Sequence, residues 1–534
     1  MLSIGVQNLR SLYNIDEIEI KPITVLLGKN SAGKSTFLRM FPLLKQSIEE
    51  RTSEPILWYG DYVDFGDFEE SKCKNINKEK KDEDTINFSF RISISERNRE
   101  YNRRYRYMPN YIIDFDDYYM SKSDEKNEKN ISIKIYVAKK NIRAIDLFFE
   151  DQSIKIEFPK NGSSDLQKLY VNDTEISIDD FMWRPTNNLI PLLVNKGGYY
   201  SSHKENTLYT IIKELIIKVC GEQVEVENEE LDNMICNLPY FGSRESILKS
   251  LQQKQPRSKR NYKAYRSFAN LSPNSQEIKD INNYWLAFIL PSMLEVCSQY
   301  LSMEFSNITY SKPLRADIQR YYRVQGLGVD EIDPSGQNMP MFINNLQKSE
   351  LLDFQEWTKT HFGISFEVTS KEGHVSLMIK DDSNHMYNLA DEGVGYSQVL
   401  PIITNLWIAS RNKNISRTRY SRNANNNDKL ILIEQPELHI HPAFQGQLVD
   451  AFSEIANQYQ ELRTKIIFET HSETMLNRLG YLISKQKLDP SLVNVVLFQK
   501  DETGNSVVEK TGFDKDGFLE NWPIDFFSTE RIVR

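Results

Sequence analysis

The stretch PITVLLGKNSAGKSTFLR (22–39) decides the fold of this 534-residue chain. Residues 22–27 are an apolar run that reads as a buried strand, and the residues after Lys34 carry helical periodicity to about Glu50. Between them GKNSAGKS, Gly28 to Ser35, fits the pattern G-x-x-x-x-G-K-[ST]. Strand, glycine-rich turn and helix is the context in which backbone N–H groups converge on phosphate oxygens. There Lys34 reaches the β and γ phosphates and the Ser35 hydroxyl binds Mg2+. Gly28, Lys29, Asn30, Ser31, Ala32, Gly33, Lys34, Ser35 and Thr36 are therefore the candidate binding loop, with ATP and Mg2+ as expected cofactors.

Outward from this loop, 2–7 and 16–20 read as an N-terminal strand pair. Period-two alternation takes over from about 55 to 180. INFSFRISI (86–94), ISIKIYVA (131–138) and a pair within 142–159 read as an antiparallel meander, interrupted by charged loops at 71–85 and 96–130. From about 205 to 305 the spacing is helical, as in LYTIIKELIIKVC (208–220) and YWLAFILPSMLEVCSQYL (284–301). Strands return over 365–380 and at KLILI (429–433), KIIFE (465–469) and VNVVLF (493–498), the last read as the final strand; a helix follows Gly395. Apolar strands alternating with helices at both ends predict an α/β fold with a mostly parallel sheet. The expected domains are an ATPase core of 1–55 and 305–534, an antiparallel β subdomain at 56–180 and a helical insertion at 181–304.

Three further segments carry chemistry. KLILIEQPELHIHP (429–442) ends an apolar strand in Glu434, whose carboxylate can reach a metal, so Glu434 joins Ser35 as an expected Mg2+ ligand. LADEGVGYSQVLPI (389–402) opens a helix with Gly393, Gly395, Ser397 and Gln398. Helix N-termini carry partial positive charge and free N–H groups. One nucleotide already has its own loop, so a second phosphate-binding helix end is best explained by a site shared between two subunits. KIIFETHSETML (465–476) places His471 just beyond a buried strand, at the sheet edge where ligands bind, to contact the γ-phosphate or the attacking water. His439 and His441 form an HxH that reads as a turn after the carboxylate strand rather than a metal site. Cys73, Cys220, Cys236 and Cys297 have neither metal-ligand spacing nor a CxxC pair and read as reduced thiols, buried or half-buried.

The order of these motifs resembles that of ABC ATPases and of the heads of SMC and Rad-type repair proteins. The resemblance implies an ABC-type head in which ATP joins two subunits. Lys34 and Ser35 then hold phosphate and magnesium, Ser397 with Gly393 and Gly395 acts on the partner's nucleotide, Glu434 lies near the metal and His471 is the switch histidine. LLGKNSAGKSTFLR, WYGDYVDFGDFEE, ITYSKPLRADIQRYYRVQG, DPSGQN, IEQPELHIHP, THSETMLNRL and GFDKDGFLENWPIDFF are more closely similar to the overcoming-lysogenization-defect-like and PtuA-like ATPases of prokaryotic antiphage systems. The likeness covers about 1–70, 305–345 and 385–530. It implies a homodimer or higher homo-oligomer that regulates or scaffolds a separate HNH nuclease, PtuB-like, as in Septu systems. In retron systems that borrow the Septu pair, a reverse transcriptase with its DNA–RNA hybrid joins the assembly. A TOPRIM nuclease, which overcoming-lysogenization-defect proteins carry, needs on the order of 100 residues or more. After His471 only 63 residues follow, too few for such a domain, so nuclease chemistry is expected in another polypeptide.

Two departures from the ABC pattern matter. Where ABC proteins carry an acidic pair, this chain has Glu434 and Gln435, and glutamine can orient a water but cannot accept its proton. Either Glu434 or Glu437 supplies the base, or hydrolysis is slow and ATP acts as a clamp; the implied catalytic set is Glu434, Gln435 and His471. The sequence does not identify the Mg2+-sensing glutamine of the first lobe, and Gln46, in mid-helix, is a poor candidate. Two alternatives stay open: a repair or chromosome-structuring head, which predicts long heptad repeats that 180–305 does not sustain, and a non-hydrolysing ATP-dependent scaffold.

A net charge of −9 with 40% apolar residues predicts a sizeable core and gives no overall preference for nucleic acid. Two local patches interleave basic and aromatic residues, RNREYNRRYRY (Arg97–Tyr107) and KQPRSKRNYKAYRSF (Lys254–Phe268), and are candidate nucleic-acid contacts. The acidic run DFDDYY (114–119) can pair with the first. No run approaches the ~20 apolar residues of a membrane helix, and the N-terminus alternates rather than forming a signal peptide. The expected location is cytoplasmic, with no membrane.

Overall fold

The computed structural model describes residues 3–52, 54–74, 84–95, 128–160, 165–179, 181–186, 188–195, 207–221, 228–253, 264–324, 328–329, 331–380, 385–391, 394–411 and 428–520. The chain divides into two compact units, Met1–Val6, Ser47–Leu57 and Lys81–Ser302 in one, and Gln7–Gln46, Trp58–Lys80 and Met303–Arg534 in the other. The first strands are β1 (Ser3–Leu9), β2 (Leu12–Glu19) and β3 (Ile23–Gly28), followed by the loop and helix α1 (Lys34–Glu49). Next come β4 (Ile86–Ser95), β5 (Glu128–Val137), β6 (Ile142–Phe149), β7 (Gln152–Glu157), β8 (Lys168–Val171), β9 (Thr174–Glu175), β10 (Phe181–Arg184) and β11 (Leu192–Asn195). The rest are β12 (Ile308–Ser311), β13 (Tyr322–Arg323), β14 (Ser365–Lys371), β15 (His374–Lys380), β16 (Met386–Asn388), β17 (Lys429–Glu434), β18 (Thr464–Glu469), β19 (Val493–Lys500) and β20 (Ser506–Thr511).

In the second unit six strands form one sheet in the order β12-β17-β18-β3-β19-β20. All neighbours are parallel except β19 and β20. Every residue of β3 and β18 is buried, as expected for strands covered on both faces of a parallel sheet. The helix Val394–Ser410 packs on β12 and β17, and the helix Pro442–Asn457 on β3, β18 and the helix Glu473–Ser484. Ile23, Val25, Leu27, Ile431, Ile433, Phe452 and Phe468 lie at the centre of this core. A small antiparallel sheet, β13 to β16, completes the unit. The strand at 493–498 is not the last: β20 follows it, antiparallel, because the turn at 501–505 folds the chain back through the Asp501 side chain, which accepts from the N–H groups of Thr503 and Asn505.

In the first unit β4 to β9 run as an antiparallel meander in sequence order. β5 begins at Glu128, inside the loop expected over 96–130, and buries every second residue, Ile131, Ile133, Ile135 and Val137. The stretch 180–305 is not helical from its start: β10 and β11 pair as an antiparallel hairpin before the helices Thr207–Cys220, Asn228–Cys236, Arg244–Gln252 and Gln276–Ser306. Among the described residues Gln276–Ser306 is the one helix long and apolar enough to cross a membrane, and 61% of its apolar window is buried inside the chain. Three of its polar side chains bond to other segments of the same unit. Asn282 donates to Gln152 Oε1 at 2.9 Å, Asn283 to Thr174 Oγ1 at 3.1 Å and the Trp285 indole to the Pro239 carbonyl at 2.8 Å. None of the four cysteines forms a disulfide; Cys73, Cys220 and Cys297 are buried and Cys236 half-buried.

Candidate functional site

β3 leads directly into the phosphate-type loop, and its last residue explains the first glycine. Gly28 has φ +143°, and a Cβ there would lie 2.2 Å from the Phe498 carbonyl oxygen of the neighbouring β19. Ser31 and Gly33 also take positive φ, 62° and 105°. Lys29, Asn30 and Ser31 are exposed, whereas Ala32, Gly33 and Lys34 are buried. The loop thus offers its backbone to solvent and draws the lysine underneath. The Lys34 ammonium donates to the carbonyls of Gly28 (2.7 Å) and Lys29 (3.0 Å) and lies 3.7 Å from Glu469 Oε1. Burial pulls its pKa down and the Glu469 charge opposes that pull.

Three carboxylates surround the loop, and they differ in what holds them. Glu434 ends β17 and is 1% exposed. Its two oxygens accept a fork from Arg39 of α1, 2.7 Å to each, and Oε1 also accepts from the Tyr310 hydroxyl of β12 at 2.5 Å. Glu469 ends β18 directly beside it in register and is 2% exposed. The Ser35 side chain is close enough to favour its charged form, but burial dominates and pushes its pKa up. Glu469 Oε2 has no hydrogen-bond partner. Glu437, in the turn after β17, accepts from the His471 backbone N–H through Oε1 at 2.6 Å, while Oε2 is buried without a partner; burial raises its pKa too. Arg315 lies near Glu437 and Glu434. It donates to the Glu434 carbonyl at 2.9 Å, leaves Nε and Nη1 without partners, and is pulled down to about 10 by burial.

His471 follows β18 and precedes the helix Glu473–Ser484; its imidazole pKa is lowered by burial and by the nearby Lys34 charge. Gln435 has φ 44°, and its N–H donates to the Glu469 carbonyl at 2.9 Å. Lys34, Ser35, Glu434, Gln435 and His471 are thus gathered at the C-terminal ends of β3, β17 and β18. Ser397 and Gly395 occupy the first turn of the helix Val394–Ser410. Ser397 is 6% exposed and lines a cavity of about 720 Å3 with residues of 316–341, among them Asp317, Arg323 and Asn338. A Cβ on Gly395 would lie 2.7 Å from the His439 carbonyl oxygen, so this glycine lets the helix approach the turn after β17. Gln398 clasps Arg315, accepting from its N–H at 3.1 Å and donating to its carbonyl at 3.0 Å. Gly393 and the Arg97–Tyr107 patch lie outside the described residues, as do 254–263 of the second patch; of its remainder, Ala264 and Phe268 are buried.

Two expectations find local explanations. His441 caps the helix Pro442–Asn457, its Nδ1 accepting from the Ala443 N–H at 3.2 Å. Gln46 is buried and binds the Val63 backbone at both ends, 3.1 and 3.3 Å, so it fastens a loop to α1. Sequence reasoning missed Glu469, Arg39, Tyr310 and Arg315. Glu469 was legible only as the last residue of an apolar run, and Tyr310 and Arg315 lie in ITYSKPLRADIQ with no pattern tying them to Glu434. Among the described residues no group of three or more His, Cys, Asp or Glu is placed to hold a metal unaided. The unpartnered Glu469 oxygen beside Ser35 nevertheless fits a cation completed by phosphate oxygens and water.

A family model described as "AAA ATPase domain" matches residues 1–476. No curated protein matches. Solved structures that resemble the chain include an Smc head domain with an extended coiled coil from Pyrococcus furiosus, bound to the C-terminal domain of ScpA. It is 10% identical, covers 96% of each chain and has a TM-score of 0.34. The SMC head domain from Thermotoga maritima is 7% identical over 95% of this chain and 97% of that one, also with a TM-score of 0.34.

Proposed function

The chain belongs to the AAA ATPase domain family, and from that premise we propose that it binds ATP with Mg2+ at Gly28–Thr36 and hydrolyses it slowly as the regulatory subunit of an antiphage complex. The observation that carries the nucleotide reading is the Lys34 ammonium beneath an exposed loop backbone, held by two carbonyls that a phosphate can replace. An entering phosphate takes up the loop N–H groups and draws Lys34 away from Gly28 and Lys29. When bound, Mg2+ neutralises charge on the β and γ phosphates. Glu437 is the carboxylate best suited to receive a proton from water, because Oε2 has no partner and burial raises its basicity. Gln435 orients that water, and His471, kept neutral by burial and by Lys34, faces it from the end of β18. Ser397 and Gly395 of a second subunit complete the site, so ATP joins two copies. The nucleotide-joined pair holds a separate HNH nuclease of the PtuB type silent, in the retron setting together with a reverse transcriptase and its DNA–RNA hybrid.

The test is ATP binding and steady-state turnover by wild type and Lys34→Ala. Binding weaker by at least about tenfold in the variant is expected; equal binding removes this reading. A second reading, ATP as a clamp without turnover, is favoured by Gln435 in the place of an acid and by the occupancy of Glu434 by Arg39. Robust turnover that depends on Lys34 removes it. Co-expression with a neighbouring HNH nuclease should give a stable complex; free monomer instead removes the partner.

A further inference from the structure

Glu434, the carboxylate expected at the metal, has both oxygens already engaged. Both accept from Arg39 at 2.7 Å, and one also accepts from Tyr310 at 2.5 Å. Glu469 is the reverse case. It stands beside Glu434 on the next strand and is similarly buried, yet Oε2 has no hydrogen-bond partner, Oε1 lies 3.7 Å from Lys34 and the Ser35 side chain is close by. The reading of the loop as an ATP site, on which this inference rests, sharpens the contrast. A phosphate that takes Lys34 leaves a buried carboxylate facing a polyanion. A cation between them relieves that repulsion, and the Ser35 side chain is already at hand there. Mg2+ is commonly held by one or two protein oxygens plus phosphates and water, which matches so sparse a donor set.

We infer that Glu469, rather than Glu434, is the carboxylate that joins Ser35 in holding the divalent cation that accompanies the nucleotide, and that Glu434 serves instead to anchor Arg39. The experiment measures the dissociation constant of a fluorescent ATP analogue in Mg2+ and in EDTA, for wild type, Glu469→Gln and Glu434→Gln. Wild type binds more tightly in Mg2+ by about tenfold or more. Glu469→Gln brings that ratio close to one, with affinity in EDTA unchanged or higher because Lys34 is released. Glu434→Gln keeps the wild-type ratio. A Glu469→Gln protein that retains the ratio overturns the assignment, and so does a ratio lost in Glu434→Gln alone. If Glu469→Gln does not fold, Glu469→Asp replaces it: a ratio lowered by the shorter carboxylate supports the assignment, and an unchanged one overturns it. Wild type that binds no nucleotide in either buffer is a separate failure, which removes the ATP reading and this inference with it.

Discussion

Arg39 holds Glu434 by a two-bond fork, and the pair is asymmetric in its surroundings. The Arg39 side chain is 36% exposed, whereas that of Glu434 is 2% exposed. Removing the arginine leaves a buried carboxylate with Tyr310 as its remaining side-chain donor. Arg39→Ala should therefore cost about 3 kcal/mol, the low end for a broken buried pair because Arg39 is partly in water. Adding Glu434→Gln should restore roughly half of that, since the uncompensated charge goes; urea unfolding of both variants checks the pair. Glu437 gives a pH signature. Burial holds its pKa above the ordinary glutamate value, so the folded chain binds that proton more tightly than the unfolded chain. Its stabilising contribution is complete below the unfolded pKa and is lost as pH rises through the raised folded value. Glu437→Gln should thus melt higher than wild type near neutral pH, and the two curves should converge at about pH 4. The same variant should bind ATP normally and turn it over about a hundredfold more slowly. Lys34, Ser35, Glu434 and His471 were legible residue by residue because each sits in a patterned run. Glu469 was not, because its role comes from lying beside Glu434 and beneath Lys34, and strand adjacency is absent from a linear string.

At the scale of elements, the loop depends on β19 as much as on β3. The Phe498 carbonyl of β19 fills the space in which a side chain at position 28 would stand. Gly28→Ala should force those strands apart, cost on the order of 3 kcal/mol and abolish ATP binding even in the folded fraction. Thermal melts and an ATP titration test the two effects separately. Continuous apolar runs made β3, β17, β18 and β19 readable, since strands buried on both faces keep no polar side. Short strands were harder. β10 and β11 have four residues each, too few for alternation to outweigh the helical pattern that follows. β20, SVVEKT, carries exposed polar positions and is an edge partner of β19.

At the scale of the whole molecule the prediction is assembly. ATP with Mg2+ should shift the mass measured by light scattering from one copy to two, and Lys34→Ala should not respond. Ser397→Ala should retain ATP binding by the single chain and weaken nucleotide-driven pairing by about tenfold, the worth of one hydrogen bond to a charged group; unchanged pairing would remove Ser397 from the partner's site. The α/β class and the meander were legible from periodicity alone. The order of strands in the parallel sheet was not, and it carries a consequence for synthesis. β3 lies between β18 and β19, and Lys21 at its threshold donates to the Val493 carbonyl 472 positions away. Synthesis releases the phosphate loop long before either of its two flanking strands. Until β18 and β19 emerge, β3 has both edges unpaired, an aggregation hazard during a slow closure of distant segments. A chain terminated before β18 and β19 therefore cannot assemble the candidate nucleotide site, which waits on the synthesis of both strands.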